Sequence, residues 1–262
     1  MKWKPFIVGY IFALALLLFA QHRGAKAQNT DYSQIVDLTH TISQQAPTFE
    51  PEQKSPFQVK VVATIAKDGY FAREISLPEH FATHMDAPAH FVATGWTVDQ
   101  IPADRLVAPL VVVDVSRKVQ SNPDYQLGLD DISAWEKING QIPQGAIVMA
   151  RTGWSSRWSS TTEYRNADSS GTMHFPGYSI EAARFLVEGR NIVALGIDTL
   201  SIDPGPAKTF PVHQYVLSKN VYQLENVANL DKVPATGATV VAAPAKLEGG
   251  SGGPVRILAM VR

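Results

Sequence analysis

The sequence H-F-A-T-H-M-D-A-P-A-H, from His80 to His90, gathers three of the chain's seven histidines around one aspartate, Asp86. Neutral imidazole and carboxylate groups are the ligands of catalytic zinc and manganese sites. A further histidine beside a metal can transfer protons near neutral pH. The spacing is not H-E-x-x-H, which excludes a zincin protease. The stretch therefore predicts a metal-dependent hydrolase.

Two backbone conformations would bring the ligands of this stretch together. Pro78 and Pro88 argue against one continuous helix across it. His80 and His84 are four residues apart and would share one face of a single helical turn. An extended chain would instead place all the even-numbered residues, including Asp86, on one face. The sequence leaves both conformations open, and each predicts a shared ligand site.

Composition limits the class of protein. The chain has 262 residues, of which 45% are hydrophobic, and a net charge of −1. This is enough apolar sequence for the core of one large domain. A long basic stripe is missing from the sequence, so nucleic acid is not expected as a partner. Cysteine is also absent, which excludes thiolate ligands and nucleophiles.

The first 27 residues differ from the rest. Two lysines precede an apolar run over residues 6–20, and Ala25-Lys26-Ala27 forms an A-x-A cleavage pattern. These features predict a signal peptide over residues 1–27, with export to the periplasm of a bacterial cell. An uncleaved anchor is the alternative, but the run is shorter than the roughly 20 residues of a spanning helix. We expect no membrane association after cleavage.

The remainder, residues 28–262, is expected to form a single domain. Short valine- and isoleucine-rich runs bounded by glycine or proline predict buried strands. These runs cover residues 110–115, 146–150, 192–197, 239–243 and 255–261. Helices are predicted between them, which indicates an α/β fold with a mixed, partly parallel sheet and flanking helices.

Two helices have recognisable ends. Ser179 is predicted to cap a helix over residues 180–188, which Gly189 ends. Asp130 or Asp131 is predicted to cap a second helix, which ends at Asn139-Gly140.

The stretch from His80 to His90 resembles the H-x-G-T-H-x-D-x-P-x-H signature of the cyclase-like metal-dependent hydrolases. This family includes bacterial kynurenine formamidase (arylformamidase) and isatin hydrolase. The likeness extends over residues 36–40, 148–154, 196–204, 224–226, 229–231, 243–244 and 253–256. It implies a swivelling β/β/α fold, two divalent ions of zinc or manganese per chain, and a homodimer or larger assembly.

The resemblance also assigns roles to individual residues. It implies His80, His84 and Asp86 as ligands of a first metal, and Asp86, His213 and Glu225 as ligands of a second. His90 would be the catalytic acid/base. Without the resemblance, His213 would be interpreted as a loop residue and Glu225 as a surface carboxylate.

Substrate contacts are predicted for aromatic residues. Phe49 falls near an aromatic residue that family members place beside the substrate. Trp154 and Trp96 are either cavity walls or ordinary core residues, and core is the favoured interpretation for Trp96. The family glycine is Ala82 in this chain. Glycine at such a position often serves a positive φ or a close approach of the backbone. Alanine costs little there if the local φ is negative, and we expect a small local shift rather than a lost site.

Two polar segments are interpreted as structural. Asp198, Thr199, Ser201 and Asp203 are predicted to form a hydrogen-bonded turn beneath the site. Gly249-Gly250-Ser251-Gly252-Gly253 is interpreted as a turn between the last two strands. A phosphate-binding loop is rejected there because no Lys-Ser/Thr pair and no helix follow.

Three functions follow from these observations. The first is an arylformamidase that converts N-formylkynurenine to kynurenine and formate, by metal-bound hydroxide with His90 as general acid/base. The alternative is a hydrolase of an isatin-type cyclic amide, or of a lactone, that uses one metal. A non-enzymatic binding protein is the third. Glu225 as a second-metal ligand favours the first function, whereas export argues against it, since tryptophan breakdown is normally cytoplasmic. The substrate in either enzyme is a small aromatic amide.

Overall fold

The computed structural model describes residues 32–50 and 55–262, so the predicted signal peptide lies outside the described residues. Residues 34–262 form one compact unit with the predicted α/β character. Among the described residues, no helix is both long and apolar enough to cross a membrane.

Twelve strands and six α-helices are found in the described part of the chain. The strands are β1 (Gln34–Asp37), β2 (Gln58–Ala63), β3 (Ala72–Ser76), β4 (His84–Asp86), β5 (Val107–Asp114), β6 (Gln126–Leu127), β7 (Ile147–Arg151), β8 (Gly177–Tyr178), β9 (Ala194–Ile197), β10 (Tyr222–Glu225), β11 (Ala238–Pro244) and β12 (Gly252–Val261). The helices are α1 (Ile65–Asp68), α2 (Ser116–Ser121), α3 (Leu129–Asn139), α4 (Thr161–Arg165), α5 (Ile180–Arg184) and α6 (Pro211–Ser218).

Eight of the strands form one mixed sheet that closes on itself. Its order is β1-β12-β11-β5-β7-β9-β10-β4, and β4 also pairs with β12. The three pairs from β5 through β7 and β9 to β10 are parallel, and the other pairs are antiparallel. The partly parallel sheet predicted from the sequence is therefore present, with barrel-like closure added.

Strand β12 makes the closure possible because it is ten residues long. Its first residues pair with β4, where Gly252 lies opposite Asp86, and its last residues pair with β1. On the other edge of β4, Glu225 of β10 lies opposite His84. The short strand that carries the histidine motif is thus held between two strands from distant parts of the sequence.

The core lies on both faces of this sheet. Alternate residues of β5 enter different clusters: Val111 and Val113 pack outward, whereas Leu110 and Val112 pack with Met85 and Leu224. Helices α3, α5 and α6 contribute to the outer cluster. Because both faces of the sheet are covered, the strand sequences are continuous apolar runs rather than alternations of apolar and polar residues.

The predicted elements agree with this fold except in detail. All five predicted strands are present. Ser179 caps α5, its hydroxyl accepting a bond from Ala182 N, but the helix changes to a π-helical turn over Phe185–Gly189. The predicted cap at Asp130 or Asp131 is wrong, because α3 begins earlier with Gly128 as its first cap residue. The Asp131 carboxylate reaches back and accepts from Gly128 N at 2.8 Å.

Candidate metal centre

The extended conformation is the one that forms at the centre of the motif. His84 and Asp86 lie in β4, and both side chains are buried on one face. Met85 points to the opposite face, where it joins the core. His80 lies in the irregular segment before the strand, and His90 ends a 3-10 turn over Pro88–His90. The helical alternative for His80 and His84 is therefore excluded.

Asp86 lies at the centre of the site and is only 1% exposed. Its Oδ1 is 2.6 Å from His80 Nδ1 and 3.2 Å from His84 Nε2. Its Oδ2 is 3.4 Å from His213 Nε2. One carboxylate oxygen of Asp86 thus contacts two histidines, and the other oxygen contacts a third.

Glu225 completes the cluster from the end of β10. Its Oε1 lies 3.2 Å from His213 Nε2, and its Oε2 lies 3.5 Å from His84 Nε2. The backbone N–H of Ile202 donates to Oε1 at 3.0 Å, which orients the carboxylate. The structure therefore brings together all five residues that the sequence predicted as metal ligands.

The donor set fits a divalent cation. Among the described residues, Asp86 Oδ2 is buried without a hydrogen-bond partner. His84 Nδ1 lies 2.9 Å from the carbonyl of Ala82, which can only accept, so in the neutral ring His84 Nε2 carries a lone pair. His213 Nδ1 lies 2.6 Å from the Asp203 carboxylate, with the same consequence. Lone pairs therefore face carboxylate oxygens across the site, an arrangement that a cation stabilises.

The electrostatics agree with this assignment. Burial acts to lower the pKa of His84, but the charge of Asp86 and its hydrogen bond outweigh it and raise the pKa to about 9. Burial and the nearby charge of Asp86 raise the pKa of Glu225. Two buried carboxylates side by side therefore attract positive charge, which a divalent ion supplies.

His90 lies at the rim of the cluster, stacked on His80 with ring centroids 3.9 Å apart. Burial against its neighbours lowers its pKa, although the ring is open on one side, so the imidazole is neutral at pH 7 and can accept a proton. Ligand atoms of His80, Asp86 and His90 also lie within 4.8 Å of one another. Geometry alone thus allows His90 to be a ligand, and its acid/base role stays a prediction.

A cavity of about 420 Å³ leads to the cluster. Four phenylalanines of the described residues line it: Phe49, Phe81, Phe91 and Phe210. Phe91 and Phe210 lie next to His213, at 5.0 and 5.7 Å between ring centroids, and Phe49 lies 6.1 Å from Phe210. The position of Phe49 agrees with its predicted substrate contact, which itself stays a prediction. Phe210 was missed in the sequence, where its place before Pro211 gave no signal.

Trp154 does not line this cavity. It is 1% exposed and belongs to the outer core cluster, where its Nε1 donates to the carbonyl of Tyr164 at 2.7 Å. The predicted substrate contact for Trp154 is therefore wrong, because the turn after β7 directs the indole into the core. Trp96 packs against the inner core cluster, which agrees with the core interpretation favoured from the sequence.

Ala82 corrects another expectation. Its φ is +55°, in the left-handed region, so the negative φ under which alanine would cost little is not adopted. The residue is buried, and its carbonyl accepts bonds from His84 Nδ1 and from Asn226 Nδ2. A non-glycine residue in this region costs about 1–2 kcal/mol. These two hydrogen bonds stabilise the strained backbone at Ala82, and the one to Nδ1 orients the His84 ring toward the site.

Substitutions at Ala82 are expected to reveal this strain. In Ala82→Gly, the relief of about 1–2 kcal/mol is offset by the lost methyl and by a more flexible unfolded chain, so stability changes by less than about 1 kcal/mol. In Ala82→Val, a β-branched side chain meets a positive φ, and the free energy of unfolding falls by at least about 2 kcal/mol. Urea unfolding measures both. An Ala82→Val protein as stable as the parent would show that this backbone is not left-handed.

The polar segment after β9 has more than the predicted structural role. Thr199 Oγ1 donates to Ser201 O, as expected for a local turn. The Asp203 carboxylate, however, accepts from the backbone N–H groups of Val212 and His213 and contacts the His213 ring. Asp203 thus holds a candidate ligand, a role the sequence did not indicate because the two residues are ten positions apart.

Comparison with known proteins agrees with the fold and with the hydrolase class predicted from the sequence. A family model described as putative cyclase matches residues 36–204. The chain is 34% identical to an isatin hydrolase of Roseibium aggregatum over 244 residues, which cover 87% of this chain and 92% of that protein. It is 26% identical to a kynurenine formamidase of Paracidovorax citrulli over 229 residues, covering 84% and 93%. The solved structure of isatin hydrolase A from Ralstonia solanacearum is 36% identical, with a TM-score of 0.83 and complete coverage of both chains.

The class that this fold and donor set define is that of the cyclase-like metal-dependent hydrolases. The chain belongs to the cyclase family.

Proposed function

We propose that this protein is a metal-dependent hydrolase that opens a cyclic amide of the isatin type. The observation that carries the proposal is the likeness to isatin hydrolases over nearly the full length of both chains, at 34% identity against 26% for the kynurenine formamidase. It supports the alternative expected from the sequence better than the arylformamidase that was placed first.

The metal would be held by the five clustered side chains. His80, His84 and Asp86 would form one ligand set, and Asp86, His213 and Glu225 would form the other. One filled set serves the isatin-type hydrolase, and the two ions per chain implied by the sequence resemblance belong to the arylformamidase. Carboxylate and imidazole ligands suit both zinc and manganese. When bound, a divalent ion lowers the pKa of a water molecule and polarises a carbonyl oxygen.

The chain's own residues would bind the substrate and move a proton. Phe49, Phe91 and Phe210 would bind the flat aromatic ring against the cavity wall. The neutral His90 would accept a proton from the attacking water and donate it to the ring nitrogen. Water thus adds to the carbonyl carbon and the carbon–nitrogen bond breaks as nitrogen takes the proton from His90. The new carboxylic acid loses the second proton of water to solvent, and the ring-opened amino acid leaves as its carboxylate.

An arylformamidase remains the second candidate because Glu225 lies within the ligand cluster. A glutamate there completes the second ligand set that the sequence resemblance assigned to the formamidases. The cavity of about 420 Å³ has room for a larger, open-chain aryl formamide.

A parallel assay separates the two candidates. We expect a higher kcat/KM for isatin than for N-formylkynurenine with protein reloaded with manganese or zinc. Chelator-treated protein assayed without reloading provides the control and should be inactive. Faster hydrolysis of N-formylkynurenine would support the formamidase, and hydrolysis of neither amide would count against both.

Export and assembly are further proposals. We propose that residues 1–27 are removed on export and that the protein forms a homodimer or larger assembly. Export is checked by the N-terminal sequence of the protein recovered from a periplasmic fraction, where residue 1 still present would contradict it. Assembly is checked by the mass in solution, where a monomer would contradict it.

A further inference from the structure

The glycine-rich loop over residues 249–253 packs directly against the candidate metal centre. Its first three residues belong to the predicted turn between β11 and β12, whereas Gly252 and Gly253 already begin β12. The backbone N–H of Ala87 donates to Ser251 O at 2.9 Å, and that of Val98 donates to Gly250 O at 2.8 Å. The loop is thus fixed to the residues that follow the motif aspartate.

The glycines of the loop permit this close approach. A Cβ atom at Gly252 would lie 2.4 Å from the carbonyl oxygen of Met85 and 2.7 Å from the His80 ring. A Cβ atom at Gly250 would lie 3.0 Å from Glu79 Oε1. A larger side chain at Gly252 would require the backbone to move, whereas at Gly250 neighbouring side chains, including that of Glu79, would have to shift. The two glycines thus let Ser251 contact both Glu79 and His80.

The Ser251 hydroxyl contacts both of these neighbours. Ser251 Oγ donates to Glu79 Oε2 at 2.6 Å, and Ser251 N donates to the same oxygen at 3.0 Å. His80 Nε2 lies 2.9 Å from Ser251 Oγ. A hydroxyl has one proton, and a bond to a carboxylate is the stronger of the two choices. Ser251 Oγ therefore presents a lone pair to His80, and the ring proton is on Nε2.

This tautomer determines what His80 presents to the site. With its Nε2 proton bonded to Ser251, the ring can exchange the proton between Nδ1 and Asp86 Oδ1, which are 2.6 Å apart, for a cation, and it then presents a lone pair on Nδ1. A metal ligand needs that lone pair. His213 has an equivalent outer partner in Asp203, and His84 has one in the Ala82 carbonyl.

We propose that Glu79 and Ser251 are positioning residues that hold His80 in its metal-binding tautomer and orientation. The proposal rests on the proposed function in so far as that function requires a metal. Outer partners of this kind change metal affinity by about 10- to 100-fold when they are removed. The glycine-rich loop then has a functional role beyond that of a turn.

The test measures the Kd of Mn²⁺ for the metal-free protein by competition with a chelator. Ser251→Ala and Glu79→Ala should each weaken binding by about 10- to 100-fold. The double variant should bind Mn²⁺ about as tightly as the weaker-binding of the two single variants, because the two residues act on His80 as one unit. Glu79→Gln keeps an oxygen that accepts the Ser251 hydroxyl, so it should lose less affinity than Glu79→Ala.

Two controls separate positioning from general damage. Ser121→Ala removes an exposed hydroxyl that bonds Lys118 O within α2, and it should leave the Kd unchanged. Melting temperatures of the metal-free proteins report folding. If Ser251→Ala does not fold, the comparison of Glu79→Gln with Glu79→Ala decides the question.

The outcomes distinguish the two proposals. A parent protein that binds no Mn²⁺ or Zn²⁺ would contradict the proposed function itself. Normal binding by the parent, with a Kd for Ser251→Ala and Glu79→Ala within about twofold of it, would overturn the positioning role alone. Additive losses in the double variant would overturn it as well.

Discussion

Asp86→Ala is expected to abolish divalent-metal binding and amide hydrolysis together. Among the described residues, Asp86 contacts all three clustered histidines, whereas Glu225 contacts only His84 and His213. Without it, the nearest carboxylate is that of Glu225, and three histidines lose their shared partner. Metal content after reloading should fall to background, and hydrolysis should fall to the uncatalysed rate.

Two further variants make this result interpretable. Asp86→Asn keeps the shape of the side chain and removes its charge, and it should bind metal far more weakly than the parent while remaining folded, as near-ultraviolet circular dichroism reports. Asp130→Ala removes an exposed carboxylate of α3 and should behave as the parent in every assay. Parental metal content and activity in Asp86→Ala would be incompatible with the proposed site.

His90→Ala is expected to lower kcat by about 10²- to 10⁴-fold, the usual contribution of a general acid/base. Because His90 is assigned outside the ligand set, the Kd of Mn²⁺ should remain close to that of the parent. The measurements are steady-state hydrolysis with reloaded protein and the chelator-competition Kd.

One control and two contrary outcomes make the His90→Ala experiment interpretable. His174→Ala serves as the control, since the ion pairs of His174 are with Asp124 and Asp168 and not with the clustered residues, and no change is expected there. Unchanged kcat in His90→Ala would disprove the proton-transfer role. A loss of metal affinity as large as that of Asp86→Ala would show that His90 is a ligand beside His80, which the geometry also allows.

Much of the fold and part of the site could be predicted from local sequence. Runs such as residues 110–115 are apolar because both faces of the sheet are covered, and they predicted strands correctly. The ligands within the motif from His80 to His90 could be predicted because they are close together in the sequence, within eleven residues. His213 and Glu225 came only from the family resemblance, since it is the register of β10 against β4 that brings Glu225 opposite His84.

The features that were missed depend on tertiary structure. The positive φ of Ala82 is held by bonds to His84 and Asn226, and the latter is 144 positions away. Ser251 lies 171 positions from His80, so no local pattern links them. Trp154 was mistaken for a cavity wall because its sequence neighbourhood does not show which side of the sheet its turn faces.

Anomalous X-ray diffraction from crystals loaded with Mn²⁺ tests the central assignment most directly. We expect a peak within coordination distance of the Asp86 carboxylate and the nearest imidazole nitrogens. A second peak between Asp86, His213 and Glu225 would support the two-ion arylformamidase. Manganese bound elsewhere on the molecule, with the Asp86 cluster free of anomalous density, would contradict the account.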